Sequence, residues 1–215
     1  MKKAGFIFLG LIVWISAAGL QAAPFEYQEG THYERLNTPV NTRESDKVVV
    51  TEYFSYGCPH CYRFDPMISK WKTELPADVE FRRSPAVWNQ DYKLYAQIYY
   101  TAEALEVLEE IHTPLFQAIH AQGMRLNDPK RSASFFSEFG VDPNDFAKVF
   151  SSFGVRAAVQ QAQARGRAYR ASGVPAIIVN GKYRIEGSMA GSNPEMLEVA
   201  EYLISRERQA LAASE

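Results

Sequence analysis

The chain has 215 residues, 47% of them hydrophobic and 22% charged, enough to bury one substantial core or one core with an inserted subdomain. Its 23 basic and 25 acidic side chains leave a formal charge of −2, which offers no basic surface for nucleic acid. The only two cysteines are Cys58 and Cys61, so a framework of structural disulfides is excluded.

Met1-Lys2-Lys3 opens the chain, an almost uncharged apolar stretch runs from Ala4 to Leu20, and the small residues Ala22 and Ala23 follow. That order is the order of a secretory signal peptide, expected here over residues 1–22 with cleavage after Ala22 or Ala23. A retained membrane anchor competes, because the stretch approaches spanning length. The short apolar region and its alanine-rich exit favour cleavage. No second stretch approaches spanning length, so the mature chain is expected to be soluble. Without Lys2 and Lys3, 21 basic side chains face 25 acidic ones, a formal charge near −4.

From Lys47 the run Lys-Val-Val-Val-Thr-Glu-Tyr-Phe predicts a buried strand ending at Ser55-Tyr56-Gly57. A helix is expected next, because Pro59 suits a first turn and Phe64, Met67, Ile68 and Trp71 recur at helical spacing up to Pro76. Pro66 should kink it. A short strand is predicted from Val79 to Arg82. Between Trp88 and Ser172 the chain reads as successive helices, with Asn89, Asn127 and Asp142 as N-caps and Gly123 and Gly140 as stops. The aromatic residues there, among them Tyr92, Tyr95, Tyr99, Phe116, Phe135, Phe136, Phe146 and Phe150, read as helical core. A hairpin follows, with strands at Ala176 to Val179 and Tyr183 to Glu186 joined through Asn180-Gly181. Pro194 opens a last amphipathic helix. The order predicts an α/β domain, residues 23–84 and 163–215, interrupted by an all-helical insertion at 85–162.

Cysteines spaced Cys-x-x-Cys across the first turn of a helix can approach to bonding distance, and the first meets the turn's unsatisfied amides. Those amides and the helix dipole favour an anion. A thiolate, not a thiol, attacks disulfides, so Cys58 is the expected nucleophile and Cys61, one turn further in, the more buried resolving thiol. Between them lie Pro59 and His60, and the imidazole can stabilise a thiolate by a hydrogen bond or by positive charge. A zinc site uses the same spacing, but His32, His60, His112 and His120 form no second close pair. An inert disulfide across the junction is the other alternative, although so short a loop constrains the unfolded chain little. His32, His112 and His120 have no motif around them and are expected at the surface or at helix ends.

Cys58-Pro59-His60-Cys61-Tyr62, preceded by Glu52-Tyr53-Phe54-Ser55-Tyr56-Gly57 and followed late in the chain by Gly173-Val174-Pro175-Ala176, resembles the DsbA family of periplasmic thiol:disulfide oxidoreductases. The resemblance implies a thioredoxin fold with an inserted helical domain, a periplasmic location and no cofactor beyond the redox-active Cys58-Cys61 disulfide. It also implies reduced, newly exported proteins as substrates and a quinone-linked, DsbB-like membrane protein as reoxidant. Nothing demands more than a monomer. Pro175 matches the family's cis-proline, which would set Val174 beside the sulfurs with a backbone edge for an extended substrate. Glu52 shares a strand face with Val50 and Phe54, where a buried carboxylate would have a raised pKa and could exchange protons with Cys61. It could instead be a partly solvated acid paired with a nearby base; Arg82 or Arg83 lies where the family often carries one, and the sequence does not assign which. Two further functional classes compete with disulfide donation. One is a reductase or isomerase of the same fold, the other a non-catalytic binder of unfolded chains.

Overall fold

The computed structural model describes residues 27–44 and 46–213; the expected signal peptide lies outside them. Five strands form one mixed sheet: β1 (Glu34–Arg35), β2 (Val48–Phe54), β3 (Val79–Pro85), β4 (Ala176–Val179) and β5 (Tyr183–Glu186), in the order β1-β5-β4-β2-β3. β2 pairs parallel with β3 and antiparallel with β4, so it is covered on both edges and all seven of its residues are buried. This burial explains its unbroken Val-Val-Val start, since a strand buried on both faces has no solvent side to mark with polar residues. The hairpin turn has positive φ at both Asn180 (50°) and Gly181 (62°), the backbone that a two-residue Asn-Gly connection adopts.

α1 (Pro59–Trp71) follows β2 directly and continues through Pro66 as one helix. The helical block comprises α2 (Gln90–Ala104), α3 (Leu108–His120), α4 (Pro129–Ser137), α5 (Pro143–Phe150) and α6 (Phe153–Tyr169), and the chain ends with α7 (Gly187–Ala190) and α8 (Asn193–Ala212). Asn89 and Asp142 cap α2 and α5 as expected. The cap of α4 is Asp128, not Asn127: its carboxylate accepts from the amides of Lys130 and Arg131, and Pro129 then occupies the first helical turn. Gly123 and Gly140 lie three residues beyond the last residues of α3 and α4, with φ of 68° and 80°, so they turn the chain after the helices have ended. β3 extends past Arg82 to Pro85 because all seven of its residues find a register partner on β2. β1 and α7 were too short for any periodicity to show.

Three contiguous cores result. α1 and α8 pack one face of the sheet through Val48, Val50, Phe64, Ile68, Ile177, Val199 and Leu203. The other face carries a smaller cluster of Tyr53, Ala176, Ile178 and Tyr169. The aromatic residues of the helical block form the third, and Phe54, Tyr56, Cys58 and Cys61 are part of it. Seven of the eight aromatics named above are buried there; Tyr92 is half-buried. α6 runs unbroken across residue 162, carrying Val155, Val159 and Ala162 in the helical core and Tyr169 against the sheet.

Candidate active site

Cys58 is the N-cap of α1, in extended conformation, and no side chain caps the helix. The turn that delivers it is tight: the Cys58 amide donates to the Ser55 carbonyl at 3.0 Å. A Cβ on Gly57 would lie 2.8 Å from Cε2 of Tyr95, so α2 presses on the turn where only glycine fits. Cys58 is 5% exposed and Cys61 fully buried, and both are free thiols. Pro59 and His60 face solvent.

The two thiols have opposite acidities. The Cys58 pKa falls to about 6, chiefly because the Cys61 thiol hydrogen-bonds to it. Burial opposes this, and the amides of Cys61 and His60 assist. The charge effect of His60 is the smallest of these contributions, so the helix N-terminus and the partner thiol outweigh the imidazole that the sequence made prominent. His60 Nδ1 instead accepts from Arg63 Nη2 at 3.0 Å. Burial pushes Cys61 well up, and the neighbouring Cys58 adds to the rise.

The loop after α6 closes the site from the other side. The Val174-Pro175 bond is cis, and Cys58 Sγ donates to the Val174 carbonyl at 3.2 Å. Beneath the cysteines Glu52 is fully buried, and its pKa is raised by burial against the opposing pull of Arg83. Arg83 Nε donates to Glu52 Oε2 at 2.8 Å, while Glu52 Oε1 has no hydrogen-bond partner among the described residues. The partly solvated alternative for Glu52 therefore does not hold. The basic partner is Arg83; Arg82 points the other way, to Glu44 and Glu80. Glu52 is near enough to Cys61 for its charge to raise the thiol further.

A family profile described as "DSBA-like thioredoxin domain" matches residues 68–200. The thiol:disulfide interchange protein DsbA of Azotobacter vinelandii is 41% identical over 197 residues, covering 90% of this chain and 92% of that protein. The chain belongs to the DsbA family of thiol:disulfide oxidoreductases. The Pseudomonas aeruginosa DsbA is 37% identical, covering 95% of this chain and 97% of its own. Its crystal structure superposes with a TM-score of 0.82 at 39% identity, over 86% of this chain and 96% of that one. DsbA from Xylella fastidiosa gives 0.81 at 32%, over 85% and 98%. The fold is accordingly the family's thioredoxin fold with a helical insertion.

Around this family site the structure adds residues that the sequence left unread. Arg83 also faces Asp65 Oδ1 at 3.6 Å, so one guanidinium serves two buried carboxylates. Burial disfavours the charge on Asp65, but His112, Thr113 and Arg83 together outweigh it and hold the carboxyl below its ordinary range. The expectation that His112 sits at the surface or a helix end is wrong. It is 3% exposed in the middle of α3, with Nδ1 2.7 Å from the Tyr56 hydroxyl and Nε2 3.3 Å from Asp65 Oδ1. His120 ends α3 as expected, with Nε2 2.7 Å from the Tyr56 carbonyl and its ring stacked on Tyr62. A signal for Asp65 was present: it shares the buried face of α1 with Cys61, Phe64 and Ile68, where an acid needs a partner. Among the described residues, no three His, Cys, Asp or Glu are placed to hold a metal ion. A groove of about 770 Å³ lies beyond β3, lined by Arg82, Glu103 and Arg165 and by neither cysteine.

Proposed function

We propose that this oxidoreductase donates the Cys58-Cys61 disulfide to reduced proteins, with Cys58 as the sulfur attacked. A substrate thiolate attacks Cys58 Sγ of the oxidised enzyme; the Cys58-Cys61 bond breaks, a substrate-Cys58 bond forms, and Cys61 leaves with the electron pair. The raised pKa of Cys61 means that this sulfur takes up a proton, and Glu52, itself shifted upward, is the group that supplies it. A second substrate thiolate then attacks the substrate sulfur of the mixed disulfide and expels Cys58. The enzyme is left as the dithiol and the substrate carries the new disulfide.

The observation that carries the direction is the lowered pKa of Cys58 at the start of α1. A thiolate of low basicity is a good leaving group, and each pKa unit of stabilisation corresponds to about 1.4 kcal/mol, worth roughly 30 mV in a two-electron couple. Val174 supplies a backbone edge and Pro175 shapes it, so an extended substrate can pair there by strand addition. Pro59 and His60 are exposed in the first turn, next in sequence to the Cys58 that meets the Val174 carbonyl.

The same reading makes residues 1–22 a cleaved leader, places the mature enzyme in the periplasm as a monomer, and divides it into a thioredoxin-like unit (23–84 and 163–215) and a helical insertion (85–162). No helix among the described residues is long and apolar enough to cross a membrane. Reoxidation falls to a quinone-linked, DsbB-like membrane partner, and no cofactor is needed beyond the disulfide. Equilibration with glutathione buffers tests the direction: a potential clearly above that of glutathione is expected, and one clearly below it would make the enzyme a reductase or isomerase. Cys58→Ser should abolish oxidation and Cys61→Ser should accumulate mixed disulfides. Full oxidation by Cys58→Ser would overturn the assignment, whereas a protein that holds unfolded chains equally well with or without Cys58 and oxidises none would be a non-catalytic binder.

A further inference from the structure

The five residues that lead from α6 to the cis-proline are fastened by two buried charged side chains of β5 that lie outside the cysteine chemistry. α6 ends at Tyr169, and Arg170 takes a left-handed conformation with φ of 52°. Arg184 Nη1 donates to the carbonyls of both Tyr169 and Arg170, satisfying groups that a helix end leaves open. Two residues on, the Ser172 amide donates to Glu186 Oε1 at 2.7 Å and the Ser172 hydroxyl to Oε2 at 2.6 Å. The two β5 side chains face each other, Arg184 Nε lying 3.4 Å from Glu186 Oε1. Arg184 also reaches Glu34 on β1. Arg184 is 8% exposed and Glu186 5%.

Charges are rarely buried to that extent unless paired and hydrogen-bonded, and breaking such a pair from one side leaves the other uncompensated. Apart from their mutual pair and the contact to Glu34, these side chains are spent on the end of α6 and the loop that follows it. Beyond Ser172 lie Gly173, whose Cβ position is open space, and Val174, whose carbonyl meets Cys58 Sγ. Among the described residues, Cys58 makes the one side-chain hydrogen bond to the chain between Ser172 and Pro175, so the Ser172-Glu186 contact is the last fastening outside the cysteines before the Val174 edge.

We infer that Glu186 and Arg184 are positioning residues that hold the loop from Arg170 to Val174 in the conformation that pairs with an extended substrate polypeptide. This inference rests on the disulfide-donation reading and names a determinant of polypeptide binding within it. An edge held in place before the substrate arrives does not have to be ordered on binding, so the benefit falls on the affinity for a peptide and not on sulfur exchange.

The test is steady-state oxidation of a two-cysteine peptide by the purified protein, with glutathione disulfide as final electron acceptor, measuring KM and kcat separately. Glu186→Ala is expected to raise KM about tenfold, consistent with the loss of two hydrogen bonds to a charged acceptor, with kcat changed less than about twofold. Glu186→Gln keeps an acceptor for the Ser172 amide but loses the ion pair to Arg184, and Ser172→Ala loses only the hydroxyl contact; each is expected to raise KM about threefold. An unchanged KM in folded Glu186→Ala overturns the inference, as does a fall in kcat at constant KM. If Glu186→Ala loses its near-ultraviolet circular dichroism, the two milder variants decide, and an unchanged KM in both overturns it. Failure of the unaltered protein to oxidise the peptide overturns disulfide donation and this inference with it. Normal oxidation with indifferent variants overturns this inference alone.

Discussion

Cys58 and Cys61 are the same residue type three positions apart, yet one thiol is held near pKa 6 and the other well above its ordinary value. The difference is positional: Cys58 receives a hydrogen bond from Cys61 and from amides of the first turn, whereas Cys61 is closed off from water. Because the folded pKa of Cys58 is depressed, its thiolate stabilises the reduced fold fully above the unfolded value near 9 and loses that effect as pH falls through about 6. The melting temperature of the reduced protein, relative to that of Cys58→Ser, should therefore climb between pH 6 and pH 9; a flat difference would contradict the assignment. His112 works in the same sense over a lower pH range, although here it is the neutral form that the fold favours. Burial, set against a hydrogen bond to Asp65 and reinforced by the charge of Arg83, pushes its pKa down to about 4. The unfolded chain thus binds the proton first, and stability is lost as pH drops from about 6.5 toward 4. His112→Gln should flatten that part of the stability profile, by about 2 kcal/mol in urea melts at pH 4.5 compared with pH 7.

Among the elements, the β4-β5 hairpin shows how a short local signal becomes an anchor for distant chain. Its turn carries Gly181 at φ 62°, and a Cβ there would stand 1.9 Å from the Val40 carbonyl. The same glycine's carbonyl accepts from the Val40 amide at 2.8 Å, and the Asn180 side chain and Lys182 both donate to Glu207 of α8 at 2.6 Å. Gly181→Ala combines a backbone clash with a positive φ, and should cost roughly 2–4 kcal/mol, seen as a fall of several degrees in melting temperature. Glu207 is only 4% exposed, and burial opposes its ionisation. The hydrogen bonds from Lys182 and Asn180 win, leaving its pKa below the usual carboxylate range. Its stabilisation is present above the unfolded pKa and fades as pH falls through the lower folded value.

Across the whole molecule, α6 joins the helical core to the small cluster on the sheet, and at Gly166 it meets Tyr53 of β2. A Cβ at Gly166 would lie 2.3 Å from the Tyr53 hydroxyl and 3.0 Å from its Cζ. Helix propensity favours alanine over glycine by about 1 kcal/mol, but forcing a methyl into a packed interface costs about 1–3 kcal/mol. Tyr53 is fully buried and cannot easily move aside, so Gly166→Ala is expected to lower the urea midpoint despite the better helix former. A raised midpoint would show that the helical block can slide on β2 without loss.

What the amino-acid order determined by itself is local. The Val-Val-Val run, the Pro59 start of α1, the Asn180-Gly181 turn and the Cys-x-x-Cys spacing each act within a few residues, so periodicity and turn chemistry reveal them. The motif and the distant Gly-Val-Pro also sufficed to suggest the family. What only the tertiary structure decided is which groups meet: Arg83 and not Arg82 beside Glu52, Asp65 and His112 behind Tyr56, Glu186 beneath Ser172. Those pairs are separated by 14 to 56 residues and depend on register and helix packing. A one-residue shift of β3 against β2 would exchange Arg82 for Arg83, and no local preference encodes that choice.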